Sequence, residues 1–153
     1  MTILLGRPDK VNAHKNGELH RVGAVFVFDR QGKLYVQVRK DSNLYDHSVG
    51  GHILKGETFD AGTAREAQEE LGIIQPLQKL TVFYSDGGLH SQHMFGLYVC
   101  VVEPAWKFVP SDEVDEIIPM SLKDIRELME NEPKKFTCGF VDTMSEYVRL
   151  RSL

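Results

Sequence analysis

The sequence predicts an α/β fold. Short runs rich in β-branched and aromatic residues are bounded by turn residues, a carboxylate-rich segment with helix start and stop signals lies mid-chain, and two more helical patterns close the chain. The 153 residues suit one domain spanning 1–153, with no repeat, low-complexity tract or linker. A net charge of −4 provides no basic footprint, so a nucleic-acid polymer is not expected as partner, whereas nucleotides remain open. No segment approaches the ~20 apolar residues of a membrane span, and Ile3, Leu4 and Leu5 are too few for a signal peptide. The expected location is the cytoplasm, with no membrane partner. Cys100 and Cys138, isolated in such a chain, are expected as free thiols.

Taken in order, residues 1–17 suit an arm or a short edge strand. Residues 22–28 and 34–38 form a predicted hairpin around a turn at 29–32. Residues 41–47 read as a loop, and 48–51 lead into the helical segment through two glycines that let backbone carbonyls approach a ligand. A helix then runs from the cap Thr58 to Leu71, closed by Gly72. Strands follow briefly at 73–75, then at 80–85 and 92–102 as a second hairpin around Asp86, Gly87 and Gly88. Residues 106–109 suit another short strand, 110–116 an acidic loop, and 116–120 a last strand interrupted by Pro119. Ser121 with Asp124 starts a helix whose Leu122, Ile125, Leu128 and Met129 form a stripe ending before Pro133, and 136–150 is the closing helix.

The chain is organised around the central helix. At roughly 100° per residue, Ala64, Ala67 and Leu71 fall on one arc, with Glu66, Glu69 and Glu70 opposite. Carboxylates at i, i+3 and i+4 repel one another unless a cation sits among them, and an all-oxygen donor set suits magnesium or manganese. Taken alone, three glutamates also suit a solvated acidic face partnered by Arg65 and Lys55.

Gly51, Glu57, Arg65, Glu66, Glu69, Glu70 and Gly72, with the aliphatic Ala67 and Ile73, resemble the Nudix box at every fixed position: glycine, five residues, glutamate, seven residues, then Arg-Glu-aliphatic-x-Glu-Glu-x-Gly-aliphatic. The resemblance implies a Nudix fold, a mixed β-sheet sandwiched between α-helices. It also implies a hydrolase acting on acid anhydrides of phosphorus, a pyrophosphohydrolase using Mg2+ with Mn2+ as substitute. By resemblance the metal ligands are Glu66, Glu69, Glu70 and the carbonyl near Gly51, with Glu57 auxiliary and Arg65 orienting the carboxylates. The chemistry fits, because a diphosphate resists attack by water until its charge is neutralised and the water deprotonated. The general base stays open between Glu69 and the loop residues Glu113 and Glu116, for which a solvated acidic loop is the plainer reading.

A wider stretch resembles the isopentenyl diphosphate isomerase branch: His20-Arg21 and the hairpin, then Tyr45-Asp46-His47-Ser48-Val49-Gly50-Gly51-His52, the segment 112–125, and Phe136-Thr137. Those isomerases place an essential cysteine directly before the box glycine, where this chain has Gly50, and a carboxylate pair near residues 91–93, where it has none. His14, His20 and His52 are similar to the histidines of the isomerase metal site but lack its glutamates. They read as surface or phosphate-contacting residues, with a zinc or manganese site the lesser reading. His90 and His93 remain unassigned.

The expected reaction is cleavage of a diphosphate linkage in a nucleoside diphosphate bearing another group. The alternatives are a nucleotide-sensing module without catalysis and an isomerase-like activity on a prenyl diphosphate. Specificity is expected from residues 43–46 and 84–93. Phe83, Tyr84 and Phe95 are either base-stacking or, more ordinarily, sheet and core aromatics. Edge strands and the N-terminal arm suit a homodimer.

Overall fold

The protein is described from a computed structural model covering residues 19–85, 92–109, 111–112 and 114–152. Its strands are β1 (Leu19–Phe28), β2 (Leu34–Arg39), β3 (Tyr45–Asp46), β4 (Val49–His52), β5 (Gln78–Ser85), β6 (Gln92–Val101) and β7 (Val114–Met120). The helices are α1 (Phe59–Leu71), α2 (Leu122–Asn131) and α3 (Cys138–Arg151), with a single 3-10 turn at Pro133–Lys135. The strands form one sheet ordered β3-β2-β1-β6-β5, with β4 also paired to β1 and β7 to β2. β1 and β6 run parallel, and the other pairings are antiparallel, so the sheet is mixed.

Alternation along β1 distributes its residues between two apolar layers. Phe26 and Phe28 join Leu34, Val36, Leu97 and Val99 beneath α2 and α3, through Ile125, Phe140, Met144 and Tyr147. Val25 and Val27 join Val49, Tyr98 and Cys100 beneath α1, through Ala67 and Leu71. Each large side chain removed from water in these layers contributes about 2 kcal/mol. Close approach on the α1 side depends on glycine: a Cβ on Gly23 would lie 2.1 Å from Thr63 Oγ1.

The capped ends of α1 and the start of α2 agree with the sequence, whereas the Thr137 cap falls inside the expected closing helix. Thr58 Oγ1 accepts from Ala61 N, Gly72 takes φ 70° at the end of α1, Ser121 caps α2 and Thr137 caps α3. Other expectations are corrected. On α1 the inward face is Gly62, Thr63, Ala67 and Leu71, while Ala64 is exposed. The predicted strand at 73–75 is instead the helix exit, where Ile73 N donates to Ala67 O at 3.2 Å. Residues 106–109 are also irregular, because the Val109 N–H is taken by Leu71 O at 3.1 Å instead of by a strand.

The 41–47 loop contains β3, paired with Gln37 and Val38. β7 runs through Pro119 unbroken, since β2 is its sole strand partner among the described residues and an edge tolerates the missing donor. The first hairpin closes only at Phe28 and Leu34, after which β1 takes β4 as its neighbour. α3 starts two residues later than expected, because Phe136 packs into the core and Thr137 caps. Cys100 and Cys138 are free thiols, the first with its pKa pushed up to about 11 by burial. No helix among the described residues is long and apolar enough to cross a membrane. The 1–17 arm and the turn at Asp86, Gly87 and Gly88 lie outside the described residues.

Candidate metal-carboxylate site

Two arginines hold the loop between β4 and α1, both through Glu57. Arg21, from β1, donates through Nη1 to Glu57 O at 2.8 Å and through Nη2 to Leu54 O at 3.3 Å. Glu57 N donates to Leu54 O at 3.0 Å, and Glu57 Oε1 accepts from Leu54 N at 2.8 Å, so the turn is closed from both sides. Arg65 then ties this loop to the helix. Its Nε and Nη2 reach the two Glu57 oxygens at 2.8 and 3.0 Å, its Nη1 meets Glu66 Oε1 and Glu69 Oε2 at 2.9 Å each, and Nη2 also donates to His52 O at 3.1 Å. The guanidinium holds Glu57 below the usual carboxylate range, against the opposing effect of burial.

Of the predicted ligands, the structure brings Glu66 and Glu70 together on the side of α1 that faces the sheet. The helical spacing predicts all three glutamates opposite the apolar arc, yet only Glu69 is turned to water, 53% exposed and paired with Arg65. Glu66 faces the sheet because Gly51, inside β4, leaves room for it. A Cβ on Gly51 would lie 2.2 Å from Glu66 Cδ. Glu70 is hydrogen-bonded to Glu66, to the Gly50 backbone and to Gln37, and its pKa is pushed up to about 8, first by burial and also by the Glu66 charge. Two carboxyl groups in contact hold a proton between them unless a cation replaces it. Their oxygens beside the bare Gly51 backbone therefore fit a hard divalent cation. Among the described residues no three carboxylate, imidazole or thiolate side chains already converge on one metal position.

Of the candidate bases, Glu113 lies outside the described residues. Glu116 is exposed on β7 opposite Val38, one place from the Gln37 and Ile117 pair that lies on the α1 face, so strand alternation turns it to the other face. Glu69 stays beside the carboxylate pair through Arg65.

The histidines divide differently from expectation. His20 is not a surface residue: it is 1% exposed, with its ring 5.1 Å from that of His52 and 5.5 Å from that of His93. This cluster lies across β4, β1 and β6. His14 and His90 lie outside the described residues. A Cβ on Gly50 would meet His47 Nδ1 at an ordinary 3.4 Å, so the space for a side chain exists but holds no thiol. Phe95 is a core residue stacked on Phe83 at 5.4 Å, whereas Tyr84 is half exposed.

Gln37 carries no sequence expectation, and Arg21 and Ser48, named only within the isomerase-branch resemblance, carry no expected role. The one available signal was a polar Gln37 between Val36 and Val38 in an apolar strand.

Residues 18–140 match the NUDIX domain family. The chain is 30% identical over 154 residues to an isopentenyl-diphosphate Delta-isomerase of Serratia proteamaculans, covering 93% of this chain and 84% of that protein. It is 48% identical over 63 residues to an uncharacterized Nudix hydrolase of Listeria monocytogenes, covering 38% of this chain and 37% of the relative. The fold is similar to the MutT protein from Methanosarcina mazei Go1, with a TM-score of 0.71 at 17% identity over 88% of this chain and 96% of that one. The matched domain, with an unbroken box from Gly51 to Ile73, makes this chain a member of the Nudix superfamily in the branch that resembles the isopentenyl-diphosphate isomerases.

Proposed function

We propose that this protein is a magnesium-dependent hydrolase that cleaves the diphosphate linkage of a nucleoside diphosphate bearing another group. The observation that supports it is the inward pair Glu66 and Glu70, held in contact over the bare Gly51 backbone and braced by Arg65. A divalent ion, Mg2+ or Mn2+, would neutralise the diphosphate and acidify the attacking water. Glu66, Glu70 and the Gly51 carbonyl would hold it, with Glu69 at the outer side. Arg65 keeps Glu66 and Glu69 aimed, and Glu57 keeps Arg65 in place. Glu69 is the favoured proton acceptor, as the box carboxylate that stays accessible to water.

A second reading comes from the relatives named isopentenyl-diphosphate Delta-isomerase. Gly50 argues against it, because no thiol stands directly before the box glycine.

The test is release of monophosphate or phosphate from nucleoside di- and triphosphates, nucleotide sugars, dinucleotides and coenzymes, with Mg2+ and with Mn2+, against Glu70→Gln. Isopentenyl diphosphate is included and assayed for double-bond migration. Turnover lost in Glu70→Gln is the expected result. Isomerisation without hydrolysis would transfer the assignment to the second reading. Nucleotide binding without turnover would make the protein a sensor.

A further inference from the structure

β2 and β4 both pair with β1, but at different places: β2 meets it at Phe28 and Leu34, β4 at Val22 to Val25. No pairing joins β2 to β4 among the described residues, so the sheet opens between them on the side where Glu70 descends from α1. The Gln37 side chain crosses this opening to reach Glu70. Gln37, 5% exposed, donates through Nε2 to Ser48 O and to Glu70 Oε1, both at 3.2 Å. Ser48 is itself fixed, its Oγ donating to Tyr35 O and accepting from Val27 N at 2.9 Å. The amide therefore links Glu70 to Ser48, directly before the strand that carries Gly50 and Gly51.

We infer that Gln37 is a positioning residue for the metal site, holding Oε1 of Glu70 so that the other oxygen is presented to the cation. This rests on the metal reading proposed above. The chemistry of the side chain is what distinguishes it from filler. Tyr35, Val36 and Val38 around it are apolar or aromatic, and a leucine would occupy the same volume without a buried amide to satisfy. A lysine or arginine in its place would satisfy Glu70 by neutralising it, and so would compete with the cation. A glutamate would add a further repelling carboxylate. A neutral donor alone fixes one oxygen of Glu70 and leaves its charge for the metal. Outer hydrogen bonds of this kind typically alter metal affinity about 10- to 100-fold when removed.

The test reads metal binding, not turnover. Free Mn2+ is followed by electron paramagnetic resonance while it is titrated into the full chain, and thermal unfolding is recorded without metal. Gln37→Leu is expected to weaken Mn2+ binding about 10- to 100-fold with little change in the metal-free unfolding temperature. Gln37→Lys is expected to abolish Mn2+ binding and to raise the metal-free unfolding temperature, because the ammonium takes the place of the cation. A Gln37→Leu protein that binds Mn2+ within twofold of the parent would overturn the inference and leave Gln37 a structural residue. The parent also answers without a substitution: saturating Mg2+ is expected to shift the Gln37 side-chain amide resonances, and unmoved resonances in a Mg2+-binding parent would count against the role. If the parent binds Mn2+ no better than Glu70→Gln does, the metal site itself is wrong and the inference falls with it.

Discussion

The carboxylate of Glu66 rests against the bare backbone of Gly51, in space that any side chain at residue 51 would take. A Cβ there would stand 2.2 Å from Glu66 Cδ and 2.3 Å from its Oε2. The helix cannot retreat to make room, because α1 is itself packed against Gly23 through Thr63. Gly51→Ala is therefore expected to swing Glu66 away from both Glu70 and Arg65. Mn2+ affinity should fall at least about tenfold, with the far-ultraviolet circular dichroism unchanged. A protein that keeps parental Mn2+ affinity would show that Glu66 is not held by this contact.

Metal and pH are linked through Glu70. Its pKa, pushed up to about 8 in the absence of a cation by burial and by Glu66, lies above its unfolded value of 4.5. Between those two values the folded protein binds more protons than the unfolded one, so stability declines as pH rises. The metal-free protein should accordingly unfold at a lower temperature at pH 8 than at pH 5.5. Mg2+ should reverse the loss at pH 8 and do little at pH 5.5, where the proton competes. Glu70→Gln should flatten both trends, and calorimetry with and without chelator would show a failure at once.

A second partly buried carboxylate has the opposite sign. Asp46 lies below its ordinary pKa even though burial opposes its ionisation, because the contacts with His47 and the Thr137 hydroxyl win. Its Oδ1 meets His47 Nδ1 at 2.8 Å and Thr137 Oγ1 at 3.0 Å, while Oδ2 pairs with Arg39 Nη1 at 3.3 Å. This carboxylate joins β3 to the start of α3. Its stabilisation is present above the unfolded carboxylate value and is lost as pH falls through the lower folded one. Asp46→Ala should cost about 3 kcal/mol at pH 7 in urea unfolding, because it removes the acceptor shared by His47 and Thr137. The gap from the parent should narrow in acid, and a gap independent of pH would remove Asp46 from this role.

Much of the fold could be anticipated because its signals are local. Thr58 and Ser121 cap their own helices, Gly72 ends α1 through its own positive φ, and the β-branched and aromatic run at 22–28 fits a strand wherever that strand lies. The errors arose where a partner distant in sequence decided the outcome. Leu71 O claims the amide of Val109 and keeps residues 106–109 out of the sheet, and β7 accepts Pro119 because it lies at an edge. The face of α1 was misjudged for the same reason. Apolar residues seemed to define the inward side, whereas Gly51 leaves room on the sheet for Glu66 and Gly23 leaves room for Thr63.

By itself the sequence determined which groups carry the chemistry: the residue types and spacing of Gly51, Glu57, Arg65, Glu66, Glu69 and Glu70 are a linear pattern, and the spacing of residues along one helix follows from its pitch alone. Only the tertiary structure decided how those groups divide. It placed Glu66 and Glu70 against the sheet and Glu69 in water, brought His20, His52 and His93 together from three strands, and set the Gln37 amide on Glu70 from 33 residues away. A carboxylate acquires its charge state and its aim from whatever surrounds it, and those surroundings come from strands that meet only when the sheet has formed.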